Sequence, residues 1–80
     1  MKPRRLSLRN NLIGKRVTEA RLAKGMKQIE LLTKLQLNGI DMSTPALSLL
    51  EGQKRPVTDI DLNALADILN VSVDWLLGRE

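Results

Sequence analysis

Two groups of residues have types and spacings suited to chemistry, and in both the chemistry is binding rather than bond making. Gln53-Lys54-Arg55 places three adjacent hydrogen-bond donors, two of them cations, directly after a short apolar segment, Ser43–Glu51. Such donors suit phosphate oxygens. The second group lies near the start of the chain. Residues 1–27 hold nine Lys or Arg, among them Lys2, Arg4, Arg5, Arg9 and Arg16, against the single acid Glu19, a local charge of +8. Residues 28–80 hold four basic and eight acidic residues, a local charge of −4. A basic third on an acidic remainder points to a polyanion on one side. A solvated charged helix with a basic tail accounts for the same charges.

The parts of a catalytic centre are missing. The chain has no Cys and no His, which removes the commonest general base, the commonest metal ligand and any disulfide. Asp59, Asp61, Asp67 and Asp74 fall at capping or solvent positions rather than as a working pair. There is no Gly-rich phosphate loop, and 80 residues leave little room for a deep pocket. We expect no enzyme activity, no catalytic residue, no cofactor and no metal. No apolar run reaches the roughly 18 residues of a membrane span, and the basic start is not followed by a signal-peptide stretch. A cytoplasmic location is expected.

The elements that must carry these residues are helices. Leucine is abundant, Phe and Tyr are absent, and Trp75 is the only aromatic residue. That composition favours helices packed on helices over a sheet. Residues 1–10, with Pro3 and no helical period, read as a flexible basic arm, and 11–80 as one helical domain. The first helix runs from about Asn11 to Lys24, with Ile13, Val17, Ala20 and Lys24 on one face, Leu12 and Arg16 beside it, and Gly25 as its stop. The second starts at Gln28, with Ile29, Leu31, Leu32 and Leu35 as its apolar side, and ends between Gln36 and Asn38, with Gly39 as its stop. Ile40 and Met42 in the following turn are expected to pack inward. The third has Ser43 or Thr44 as cap, Pro45 in its first turn and Gly52 as its end. The fourth runs from about Asp59 to Leu69, capped by Thr58 or Asp59, and buries Leu62, Leu65, Ala66 and Leu69. The fifth is short, capped by Ser72, and spans roughly Val73 to Leu77.

The order of these pieces resembles the phage-repressor and Cro-type (XRE) helix-turn-helix family over residues 12–78. Ile13-Gly14-Lys15-Arg16-Val17 with Arg21 and Gly25 is similar to its first helix. Gln28-Ile29-Glu30-Leu31 is similar to the start of its second. Leu47-Ser48 with Glu51 and Pro56 resembles the third and the loop after it. Leu65-Ala66 and Val71 to Gly78 resemble the last two. The resemblance implies an all-α, compact five-helix bundle like lambda repressor, with the helix-turn-helix formed by the second and third helices. Two departures stand out. Leu32 and Gln36 replace a small residue and a Gly, and the stretch from Leu32 to Glu51 is about five residues longer than usual, so the connecting turn is enlarged.

The resemblance also implies roles. The third helix would enter the major groove of duplex DNA. The residue matching Gln28 would bind a phosphate where the helix amides favour an anion. Arg21 would pair with Glu51. Leu47 and Leu50 face the core, which leaves Thr44, Pro45, Ala46, Ser48 and Leu49 outward. None of these is Arg, Asn or Gln, the usual base readers. The candidate DNA contacts are Arg16, Lys27, Gln28, Ser43, Thr44, Pro45, Ala46, Ser48, Leu49, Gln53, Lys54 and Arg55. Family members commonly bind as homodimers on half-sites about 34–36 Å apart, and Trp75 and Leu77 are the candidate dimer contacts, unless they close the core. The expected function is a sequence-specific transcriptional regulator, a repressor above all, of bacterial or phage kind. The alternative is an antitoxin or protein-interaction module with a toxin partner.

Overall fold

Five helices form where the apolar spacing asks for them: α1 (Gly14–Ala23), α2 (Gln28–Leu37), α3 (Thr44–Glu51), α4 (Asp59–Leu69) and α5 (Val73–Leu76). This computed structural model describes residues 10–80, and no strand occurs among them. The basic arm, with Lys2, Arg4, Arg5 and Arg9, lies outside the described residues apart from Asn10.

Local chemistry sets most helix ends. The Ser43 hydroxyl accepts the Ala46 N–H at 3.2 Å, so Ser43 caps α3 and Thr44 is its first residue. The Thr58 hydroxyl accepts the Asp61 N–H at 3.1 Å, and the Asp61 carboxylate faces the Thr58 N–H at 3.4 Å, a reciprocal cap on α4. Ser72 caps α5 through the Trp75 N–H at 2.9 Å. Gly39 stops α2 at a φ of +82°, where its N–H reaches the Gln36 carbonyl and the Ile40 N–H reaches the Leu35 carbonyl, both at 3.0 Å. The left-handed residue after α3 is Gln53, at a φ of +62°, not Gly52, whose φ is −80°.

The helices share one apolar core. Val17, Leu31, Leu35, Leu47, Leu50, Leu65, Leu69 and Leu76 are fully buried, so every helix contributes. α3 packs on α1 and α2, α4 packs on the same two helices, and α5 closes on α4. The enlarged connection between α2 and α3 is anchored from within: Ile40 and Met42 are buried, and Gln36 donates to the Met42 carbonyl at 3.3 Å. Leu32 is buried where the resembling family carries a small residue.

Several positions differ from the sequence reading. α1 begins at Gly14 rather than Asn11, with Ile13 at its N-cap; Asn11 lies outside the helix, and its Oδ1 accepts the Gly14 N–H at 2.8 Å. Lys24 is exposed, as is Leu12, and α1 buries Gly14 and Arg21 instead. Ile29 is 56 % exposed rather than core, since Leu31, Leu32 and Leu35 already fill the inward side of α2. Leu62 is only half-buried. No helix among the described residues is long and apolar enough to cross a membrane.

Candidate nucleic-acid interface

The outward surface of α3 is set by what holds its inward surface. Leu47 and Leu50 enter the core, and Glu51 turns to α1 and α2. Its carboxylate accepts from Arg21 Nε at 2.9 Å, Arg21 Nη2 at 3.0 Å, Gln28 Nε2 at 3.1 Å and the Thr18 hydroxyl at 3.0 Å. The Thr18 hydroxyl also lies 3.2 Å from the Gly14 carbonyl, and its single proton serves one of the two at a time. The Arg21 and Glu51 side chains are 11 % and 6 % exposed, so the pair acts largely out of water, where charge-assisted bonds are strong. Arg21 Nη1 donates on to the Met26 carbonyl at 2.8 Å. The expected Arg21–Glu51 pair is therefore present, as the centre of a polar network joining three helices.

Gln28 belongs to that network. A carboxylate can only accept, so the Gln28 amide nitrogen must face Glu51 and its oxygen faces α3. The Ser48 hydroxyl donates to that oxygen at 3.2 Å. The Gln28 side chain thus ties α2 to α3. Lys27, next to it, is exposed.

Thr44, Pro45, Ser48 and Leu49 form the exposed arc of α3. Ser43 is exposed too, with its hydroxyl engaged in the cap. Ala46 is half-buried and packs toward the core, so it belongs to the edge of the arc rather than to its outer surface.

The basic loop after α3 is held by two asparagines that sequence reading left in the arm and the first helix. The Asn10 N–H donates to the Gln53 carbonyl at 2.9 Å, and its side chain donates to the Lys54 carbonyl, also at 2.9 Å. Asn11 Nδ2 donates to the Leu50 carbonyl at 3.1 Å and the Arg55 carbonyl at 2.8 Å. Gln53 Nε2 turns back to the Asn11 carbonyl at 3.4 Å, so its side chain faces α1 rather than outward. Lys54 is exposed and Arg55 half-buried. No family model matches the chain, and no curated protein or solved structure matches it either. No spacing rule finds the bonds from Asn11 to this loop, because those partners are 39 and 44 residues away. Asn11→Ala should lower stability by about 2 kcal/mol, the cost of leaving part-buried backbone groups without partners; a urea titration followed by circular dichroism measures it.

Two candidate contacts sit elsewhere. The Arg16 guanidinium lies 4.7 Å from the centre of the Trp75 ring. Gly14, Thr18 and Arg21 mark the side of α1 that meets α3, and Arg16 projects from the opposite side. Arg16 is therefore not part of the surface built around α3. Trp75 and Leu77 are half-buried and pack against the core. Trp75 also rims a shallow groove of about 400 Å³, shared with Glu19, Ala20, Ala23, Lys24, Leu69 and Val71.

Proposed function

We propose that this chain is a sequence-specific duplex-DNA-binding regulator of the phage-repressor type, acting mainly as a repressor in the cytoplasm, with α2, its turn and α3 as the helix-turn-helix. The observation that carries the reading is the bracing of α3. A buried ion pair and two side-chain amides hold its inner edge, while a four-residue arc is left exposed. Exposed Lys27 precedes Gln28, which bonds Glu51 and Ser48, and exposed Lys54 donates its N–H to the Leu49 carbonyl. A helix held this firmly with one open arc suits insertion into a groove, with phosphates contacted at its flanks.

The charge distribution decides where affinity comes from. Residues 10–80 hold nine Lys or Arg and nine Asp or Glu, so their net charge is zero. The whole surplus of +4 sits in residues 1–9. Those residues join the described part at Asn10, which is bonded to the carbonyls of Gln53 and Lys54. Phosphate contacts are thus concentrated around one loop and one end of the chain. Binding to duplex DNA should weaken steeply with salt, with a log–log slope of about −0.9 per phosphate contacted. Lys54→Ala with Arg55→Ala should weaken binding to all sequences and make that slope shallower by about 2. Fluorescence anisotropy across a salt series reads both, and salt-independent binding would sink the proposal.

Two copies on two half-sites, meeting through the groove beside Trp75 with Leu77 nearby, complete the reading. A protein-interaction module such as an antitoxin is the second reading. It is favoured by the weak hydrogen-bonding set on α3, where Thr44 and Ser48 are the only polar side chains of the arc.

A further inference from the structure

The exposed arc of α3 has an unusual chemical character for a helix that meets base edges. Thr44 and Ser48 lie four residues apart along one side of it, and Pro45 and Leu49 four apart along the other. The Ser48 hydroxyl proton is directed to Gln28 Oε1. The Ala46 side chain packs inward. What remains outward is one hydroxyl, on Thr44, and an adjacent apolar pair. Leu49 is 46 % exposed, whereas Leu47 and Leu50 on the same helix are 1 % and 0 % exposed. Two-point hydrogen bonding to guanine or adenine needs Arg, Lys, Asn or Gln, and the arc holds none of them.

Resting on the duplex-DNA reading above, we infer that Pro45 and Leu49 are specificity-determining residues that read thymine through its 5-methyl group. That methyl is the one apolar group a base edge presents in the major groove, and it complements an apolar pair that offers no hydrogen bond. Thr44, beside the pair, supplies a single hydrogen bond. Specificity in this arrangement comes from methyl burial, and the exposed Lys27 and Lys54 are left for phosphates.

The test uses the full chain in two steps. Bound duplexes are first selected from random sequence. The selected duplex is then remade with deoxyuridine for thymidine, which removes the methyl and keeps the base pair and its O4 acceptor. The selected half-site should contain thymines, and each contacted methyl removed should raise Kd about fourfold, the equivalent of about 0.8 kcal/mol. Replacing thymines outside the half-site should leave Kd unchanged. Leu49→Ala, at an exposed helical position, should bind the thymine duplex more weakly and lose little more on uracil replacement. A selected duplex bound equally well with uracil overturns the inference and leaves duplex binding standing. So does a Leu49→Ala variant as sensitive to uracil as the parent. If no duplex is selected even at low salt, the DNA reading fails and this inference fails with it. A protein partner that shields Leu49 is then the explanation of the apolar arc.

Discussion

Glu51→Ala should leave the chain largely unfolded at 25 °C. One carboxylate accepts four hydrogen bonds from three side chains on α1 and α2. Removing it strands the Arg21 guanidinium, whose side chain is 11 % exposed, opposite a cavity. Removing one partner of a buried ion pair costs about 3–5 kcal/mol, because the remaining charge has neither water nor counter-ion. A domain of this length has only about 5 kcal/mol to lose. Thermal unfolding by circular dichroism should therefore show little or no cooperative transition. Removing both charges, as Arg21→Met with Glu51→Leu, should be much less damaging than Glu51→Ala alone. If Glu51→Ala melts within a few degrees of the parent, the network does not hold α3 in place.

Gly14→Ala should destabilise by about 3 kcal/mol, against the sign that helix propensity gives. Gly14 is the first residue of α1, and alanine is favoured over glycine inside a helix by about 1 kcal/mol. Here a Cβ would stand 2.2 Å from the Leu50 carbonyl oxygen and 2.9 Å from that of Glu51. Both are backbone atoms at the end of α3, so relief requires the two helices to part. That motion would stretch the bonds from Asn11 to Leu50 and from Thr18 to Glu51. Gly52→Ala is the control. Its φ is ordinary, and its Cβ would come no closer than 3.3 Å to the Ser48 carbonyl. Urea titration of both variants should show a large loss for Gly14→Ala and less than about 1 kcal/mol for Gly52→Ala.

Particular residues show which parts of the site were readable in advance. The candidate α3 arc was visible because Leu47 and Leu50, three apart, leave only one side free, and four of the five residues placed outside are exposed: Thr44, Pro45, Ser48 and Leu49. Ala46 does not join them. Arg16 shows the limit. Its charge and its place beside the core face of α1 suggested a phosphate contact, yet it stacks on Trp75, a residue 59 positions later. Gln28 was placed by resemblance on a phosphate; the bonds of its side chain to Glu51 and Ser48 were not legible from spacing.

By itself the sequence determined the all-helical class, the order of the five helices, the caps of α3, α4 and α5 and the stop of α2. Those features depend on neighbours within about four positions: leucines at helical spacing, Ser43, Thr58 and Ser72 as caps, and Gly39 as a stop. Only the tertiary structure decided that Asn11 would brace the end of α3, that Gly14 would be the point of closest approach, and that Gln53 rather than Gly52 would take the left-handed position. These depend on groups 36 or more residues apart in the chain being brought within hydrogen-bonding or van der Waals distance. Local spacing fixes where a helix begins and which side is apolar; the packing of one helix end against another fixes which polar groups must find partners there.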